Sequence, residues 1–168
     1  MFHAFDNTGG GSGRVSRQQW MALLARAPIE LMERSLGEQA AAAPQWLRRP
    51  ETGLMMVQGR AGGTGDPFYL GEITVTRCAL RAAGADDDAA VGVAYVLGRS
   101  HRQAQLAALC DALLQSPGAE APLRRTLLPA VARHLADERA RAQARADSTR
   151  VEFFTLARES DGGAEDEA

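Results

Sequence analysis

The 168-residue chain contains no lysine; all 19 of its basic residues are arginine. A Schiff-base or general-base lysine and the lysine-dependent phosphate loop are thereby excluded. Cysteine is scarce. Cys78 and Cys110 form no Cys-x-x-Cys pair or Cys/His cluster, so no zinc or iron–sulfur site, and no metal site generally, is expected from this chain alone. Excess charge is also missing: the net charge is −2 and the isoelectric point about 5.9. That argues against nucleic-acid binding and against membrane attachment through bulk positive charge. No apolar run is long enough to span a membrane, and the N-terminus lacks the basic and apolar regions of a secretory signal. A cytoplasmic location with reduced thiols is expected.

What remains is enough for a core, since 45% of residues are hydrophobic and 24% charged. The glycine-rich head (1–13) and the acidic tail (159–168) read as disordered, leaving one domain over 14–158. Ser16 caps a helix bearing Trp20, Leu23, Leu24 and Ala27, and Pro28 ends it or starts the next, marked by Ile29, Leu31, Met32 and Leu36. Pro44 and Pro50 bracket a connector holding Trp46 and Leu47. Leu54 to Arg60 reads as a buried strand, and Ala61 to Pro67 as a loop. Phe68 to Arg81 alternates, with Ile73, Val75 and Ala79 toward the core and Glu72, Thr74 and Thr76 on a polar face. A third strand carries Val91, Val93, Tyr95 and Leu97, with Gly92, Ala94 and Gly98 opposite. Short connections make the three an antiparallel meander.

Ser100 then caps a helix with Leu106, Leu109, Cys110 and Leu113 on one stripe. A longer, almost wholly polar helix runs to about Ala146, and Val151 to Leu156 has the composition of a short strand. The expected class is α+β: an antiparallel sheet, with this further C-terminal strand, packed with helices from both ends of the chain.

The meander predicts one anion-friendly edge. Arg60, the loop residues Gly62, Gly63, Thr64 and Gly65, and Arg99, Ser100 and His101 should gather there. Guanidinium forks, unhindered backbone N–H groups and a helix N-terminus suit a phosphate or phosphonate. The competing reading makes the loop a hairpin turn or a subunit contact, and the arginines ion-pair or interface residues. Alternation puts Arg77 among core residues, where it would need an anion or ion-pair partner. Glu72, Thr74, Thr76, Phe153 and Phe154 are expected interface residues. No catalytic acid, base or nucleophile stands out.

The blocks Arg17-Gln18-Gln19-Trp20-Met21, Glu51-Thr52-Gly53-Leu54, Gly62-Gly63-Thr64-Gly65, Phe68-Tyr69-Leu70-Gly71-Glu72 and Thr74-Val75-Thr76-Arg77 occur in this order. Gly98-Arg99, Cys110-Asp111-Ala112-Leu113 and Ser148-Thr149-Arg150-Val151-Glu152-Phe153-Phe154-Thr155 follow. Together, over about 16–158, they resemble the PhnG family of the bacterial carbon–phosphorus lyase system. The resemblance implies action with the I, H and L subunits, in which a phosphonate displaces adenine from C1′ of MgATP and leaves a ribose 1-phosphonate 5-triphosphate. It also implies a core with the I, H and J subunits, the nucleosidase chemistry lying in I and the later radical cleavage in J. MgATP is then a substrate of the complex, no cofactor belongs to this chain, and no catalytic residue carries over.

Overall fold

The computed structural model describes residues 15–151, except positions 85 and 87. Two short helices, α1 (Arg17–Leu24) and α2 (Ile29–Leu36), precede strands β1 (Gln45–Arg60), β2 (Pro67–Arg81) and β3 (Gly92–Leu97). Helix α3 (His101–Gln115) follows, then the single turn α4 (Glu120–Pro122), a wider π turn over Leu123–Leu127, and α5 (Leu128–Ser148). The strands form one antiparallel sheet in the order β1-β2-β3, which bears out the α+β expectation. The expected C-terminal strand falls, apart from Val151, outside the described residues, as do Phe153, Phe154 and the two tails.

Both expected caps are present. Ser16 accepts the Gln19 N–H and Gln19 returns a bond to the Ser16 N–H, closing a capping box. Ser100 accepts the Gln103 N–H at the start of α3. Helix α3 lies between the sheet and the other helices, packed on β2 and β3 from one side and on α1, α2 and the π turn from the other. Its expected single stripe is too narrow. Ala104, Ala107, Ala108 and Ala112 are buried as fully as Leu106, Leu109, Cys110 and Leu113, the pattern of a helix covered all round. The small residues of β3 let it approach. A Cβ on Gly92 would sit 1.9 Å from the Ala108 carbonyl oxygen.

The sheet corrects the sequence reading in three places. β1 begins at Gln45, not after Pro50, so the supposed connector is strand. Pro50 is tolerated because β1 is an edge and its register slips between Arg48 and Glu51. Nor is Leu54 to Arg60 buried: Leu54, Met55 and Met56 are all exposed. The third correction concerns β2, whose facing is the reverse of that expected. Thr76, Cys78 and Leu80 meet the helices, and the Cys78 thiol donates to the Ala104 carbonyl. Arg77 points outward, half-exposed, with Tyr95 opposite it on β3. A one-residue change of phase exchanges the whole set.

Asp111, fully buried on α3, fastens the N-terminal helix to the sheet. Its carboxylate accepts from Arg17 Nη2 (2.8 Å) and Nε (3.2 Å), Trp20 Nε1 (2.8 Å) and the Val93 N–H (3.0 Å). The pairing holds the Arg17 guanidinium above its usual pKa. Arg17 and Gln115 also donate to the Val91 carbonyl, so side chains occupy the start of the outer edge of β3. The Arg124 guanidinium stacks 4.7 Å over the same Trp20 ring, and elsewhere Arg102 joins Glu33 of α2 (2.7 Å) to the Ala40 carbonyl.

Asp111→Ala leaves the Trp20 and Val93 donors unmet, and a loss of about 3 kcal/mol or more is expected. Urea unfolding followed by tryptophan fluorescence measures it; an unchanged midpoint would show that the network is dispensable. Burial pushes both thiols, Cys78 and Cys110, up to about 12. The folded protein should therefore resist iodoacetamide at pH 8 and react rapidly once unfolded. Since the unfolded thiols ionise first, stability should fall as pH rises above about 9. Fast labelling of the native chain at pH 8 would contradict this burial.

Candidate functional site

The residues expected to share one edge lie in two places. β3 ends at Leu97, opposite Val75, and the paired strands β1 and β2 continue past it to a tip at Ala61 to Asp66. The Thr52 level, beside the start of α3, is thus separated from Arg60 by roughly 26 Å of strand at ~3.3 Å per residue. The single anion cradle is not formed, because the meander's hairpin is far longer than its third strand.

At the tip, Arg60 Nη1 donates to the Gly65 carbonyl at 3.0 Å, and the Gly65 N–H returns to Ala61 O. Gly62 and Gly63 take positive φ angles of 60° and 81°, which a side chain would strain. Thr64 is exposed. Arg60 and the glycines therefore close their own turn. Glu72, exposed, lies on the hairpin; Thr74 is half-buried, its carbonyl accepting the Gly98 N–H at 2.9 Å. Thr76 is not an exposed interface residue, since none of it reaches solvent.

On the outer face Arg77 has its ion-pair partner. Glu51 Oε1 lies 2.7 Å from Arg77 Nε and 2.5 Å from Arg48 Nη1. Arg77, and then Arg48, hold the Glu51 carboxyl below the ordinary carboxylate range. A buried arginine there is corrected to an exposed, paired one.

The start of α3 holds what the sequence did not reveal. Thr76 Oγ1 donates to the Gly98 carbonyl at 2.7 Å, a bond with only one direction. Thr52 Oγ1, 3.1 Å away, must then donate to Thr76. His101 Nε2, 3.1 Å from Thr52, is left as the donor, so neutral His101 carries its proton on Nε2 and leaves Nδ1 as an acceptor. His101 thus has an orienting partner, contributed by a strand far away in sequence. Arg99 beside it is exposed, with no hydrogen bond or ion pair to the described residues.

Among the described residues, no group of three or more His, Cys, Asp or Glu could hold a metal, and no helix is long and apolar enough to cross a membrane. A groove of about 160 Å³, bordered by Met21, Leu24, Ala25, Val93, Ala94, Tyr95 and Ala107, offers neither carboxylate nor imidazole. Nitrogen NMR at alkaline pH should find His101 protonated at Nε2, with that preference lost in Thr52→Val. Finding the proton on Nδ1 would reverse the chain of donors.

Two comparisons with known proteins find relatives of this chain. A family model described as phosphonate metabolism protein PhnG matches residues 15–159. A relative from Rhizobium meliloti (strain 1021), named alpha-D-ribose 1-methylphosphonate 5-triphosphate synthase subunit PhnG, is 40% identical over 157 residues. The alignment covers 92% of this chain and 96% of the relative. Nearly the whole chain is matched in both comparisons, and it belongs to the PhnG family of phosphonate-metabolism proteins.

Proposed function

We propose that this chain is a structural and accessory subunit of a ribose 1-methylphosphonate 5-triphosphate synthase within the carbon–phosphorus lyase system. Its partners are the I, H and L subunits for the synthase step, and I, H and J in the stable core. The complex takes MgATP and a phosphonate in the cytoplasm, and the phosphonate displaces adenine. The isolated chain is inactive and binds no cofactor of its own.

The observation that carries this reading is the uncovered sheet. Helices cover one face, while the other exposes Met55, Phe68, Tyr95 and Leu97 to solvent. Such a surface is completed by another polypeptide rather than by a small molecule. A direct part in catalysis needs anionic phosphonate and triphosphate to meet guanidinium groups of this chain. The separation of Arg60 from Arg99 argues against a shared grip.

A second reading rests on one feature, exposed Arg99, which has no partner among the described residues, beside the oriented His101 at the start of α3. There a phosphonate or triphosphate oxygen would meet a guanidinium and a helix N-terminus. Adenine release from MgATP plus methylphosphonate, by the reconstituted complex, separates the two readings. With a structural role, omitting the chain abolishes release, whereas assembled Arg60→Ala and Arg99→Ala complexes stay within about twofold of wild type. A loss of about tenfold or more in assembled Arg99→Ala (~1.4 kcal/mol of barrier) would give this chain a place at the reacting anions.

A further inference from the structure

The part of the β1–β2 hairpin that outruns β3, residues 54–60 and 67–74 with the tip between them, extends roughly 23 Å beyond the last three-stranded level at ~3.3 Å per residue. A ribbon of two strands without helix cover is only marginally stable in water. This one is also apolar on both faces. Pairing of Thr52 with buried Thr76 fixes the phase: Leu54 and Met56 share the helix-side face with Thr52, while Met55 and Val57 face outward. Between Val57 and Gln58 the register slips, leaving Leu70 without a partner in β1. Past the slip, Tyr69 pairs with Gln58 on the helix side and Phe68 with Gly59 on the outer side. Leu54 (66% exposed), Met56 (50%) and Tyr69 (68%) thus mark one face, and Met55 (40%) and Phe68 (47%) the other.

Charge is sparse in this segment: over residues 54–74 only Arg60 and Asp66 near the tip and Glu72, opposite Met56, carry it. From Gly53 to Gly59 and from Phe68 to Gly71 there is no ionisable side chain apart from the Tyr69 phenol. Methionine and aromatic residues with few charges are the composition of an interface centre, and methionine adapts to irregular walls.

We propose that this hairpin is an arm inserted into an apolar cleft of another subunit of the synthase, with both of its faces covered. The inference rests on the subunit reading above and adds the mode of attachment. A second copy of this chain is a poor occupant. A two-fold contact through one face leaves the other in water, and self-association through both faces generates an open-ended assembly. A cleft supplied by a different subunit covers both at once and ends there.

The test uses the full chain co-expressed with the other subunits and compares two paired substitutions. Leu54→Asp with Met56→Asp charges the helix-side face, and Met55→Asp with Phe68→Asp charges the outer face. All four side chains are exposed, so thermal unfolding of the free variants should match wild type; the serine pairs at the same positions replace any aspartate pair that unfolds earlier. Each pair alone is expected to lower incorporation into the purified complex by about tenfold or more. If only one face matters, the arm is a one-sided cover, and the insertion is wrong. If neither matters while wild type still incorporates, the insertion fails and the subunit reading stands. Wild-type chain absent from the complex would remove the subunit reading itself. A dimer of the free chain dissociated by these same changes would make a second copy the occupant and overturn the proposal.

Discussion

A carboxylate cut off from water, Asp111, determines how the N-terminal helix meets the sheet. It stands on α3, the one helix surrounded on every side, and gathers donors from α1 and from the β3 backbone. An unpaired buried carboxylate would be very costly, so folding has to bring Arg17, Trp20 and Val93 to it together. The same contacts occupy the start of the β3 edge and seat α1 against α3. With that side of the sheet closed by helices, most of the remaining exposed large apolar side chains lie on the outer face and along the hairpin.

This arrangement explains which parts of the fold were legible in sequence. The caps at Ser16 and Ser100 and the antiparallel order could be read because they depend on local chemistry and short connections. The facing of β2 could not, because hydrophobicity marks the core only when one face is wet. Here Val75 and Ile73 line the outer face much as Cys78 and Leu80 line the inner one. Two apolar faces give alternation no preferred phase. Pro50 misled for a related reason: a proline interrupts a strand only where its N–H is needed, and at an edge with a register slip it is not.

The candidate site shows the same limit in three dimensions. A meander brings alternate strand ends to one edge only if its strands have matching lengths, and β1 and β2 greatly exceed β3. The excess carries Arg60 and the glycine turn away from Arg99 and His101. Conversely, the orientation of His101 comes from Thr52 and Thr76, both on strands distant in sequence. A histidine at a helix start reads as isolated until pairing supplies its neighbour. The one signal available was that two threonines occupy positions in adjacent strands that an antiparallel register can align.

A subunit can matter to such a transfer without supplying a reactive group. A transfer between two anions depends chiefly on holding them in position against their repulsion, and geometry can contribute as much to rate as a proton donor. A rigid helical body anchored at Asp111, carrying a long two-stranded extension, is suited to fixing how other polypeptides sit around their substrates. The rigidity belongs to the body, where α3 is enclosed. The adaptability belongs to the extension, where methionines can follow the shape of whatever they meet. The two properties thus lie at opposite ends of one sheet, the enclosed core at one and the exposed methionines at the other.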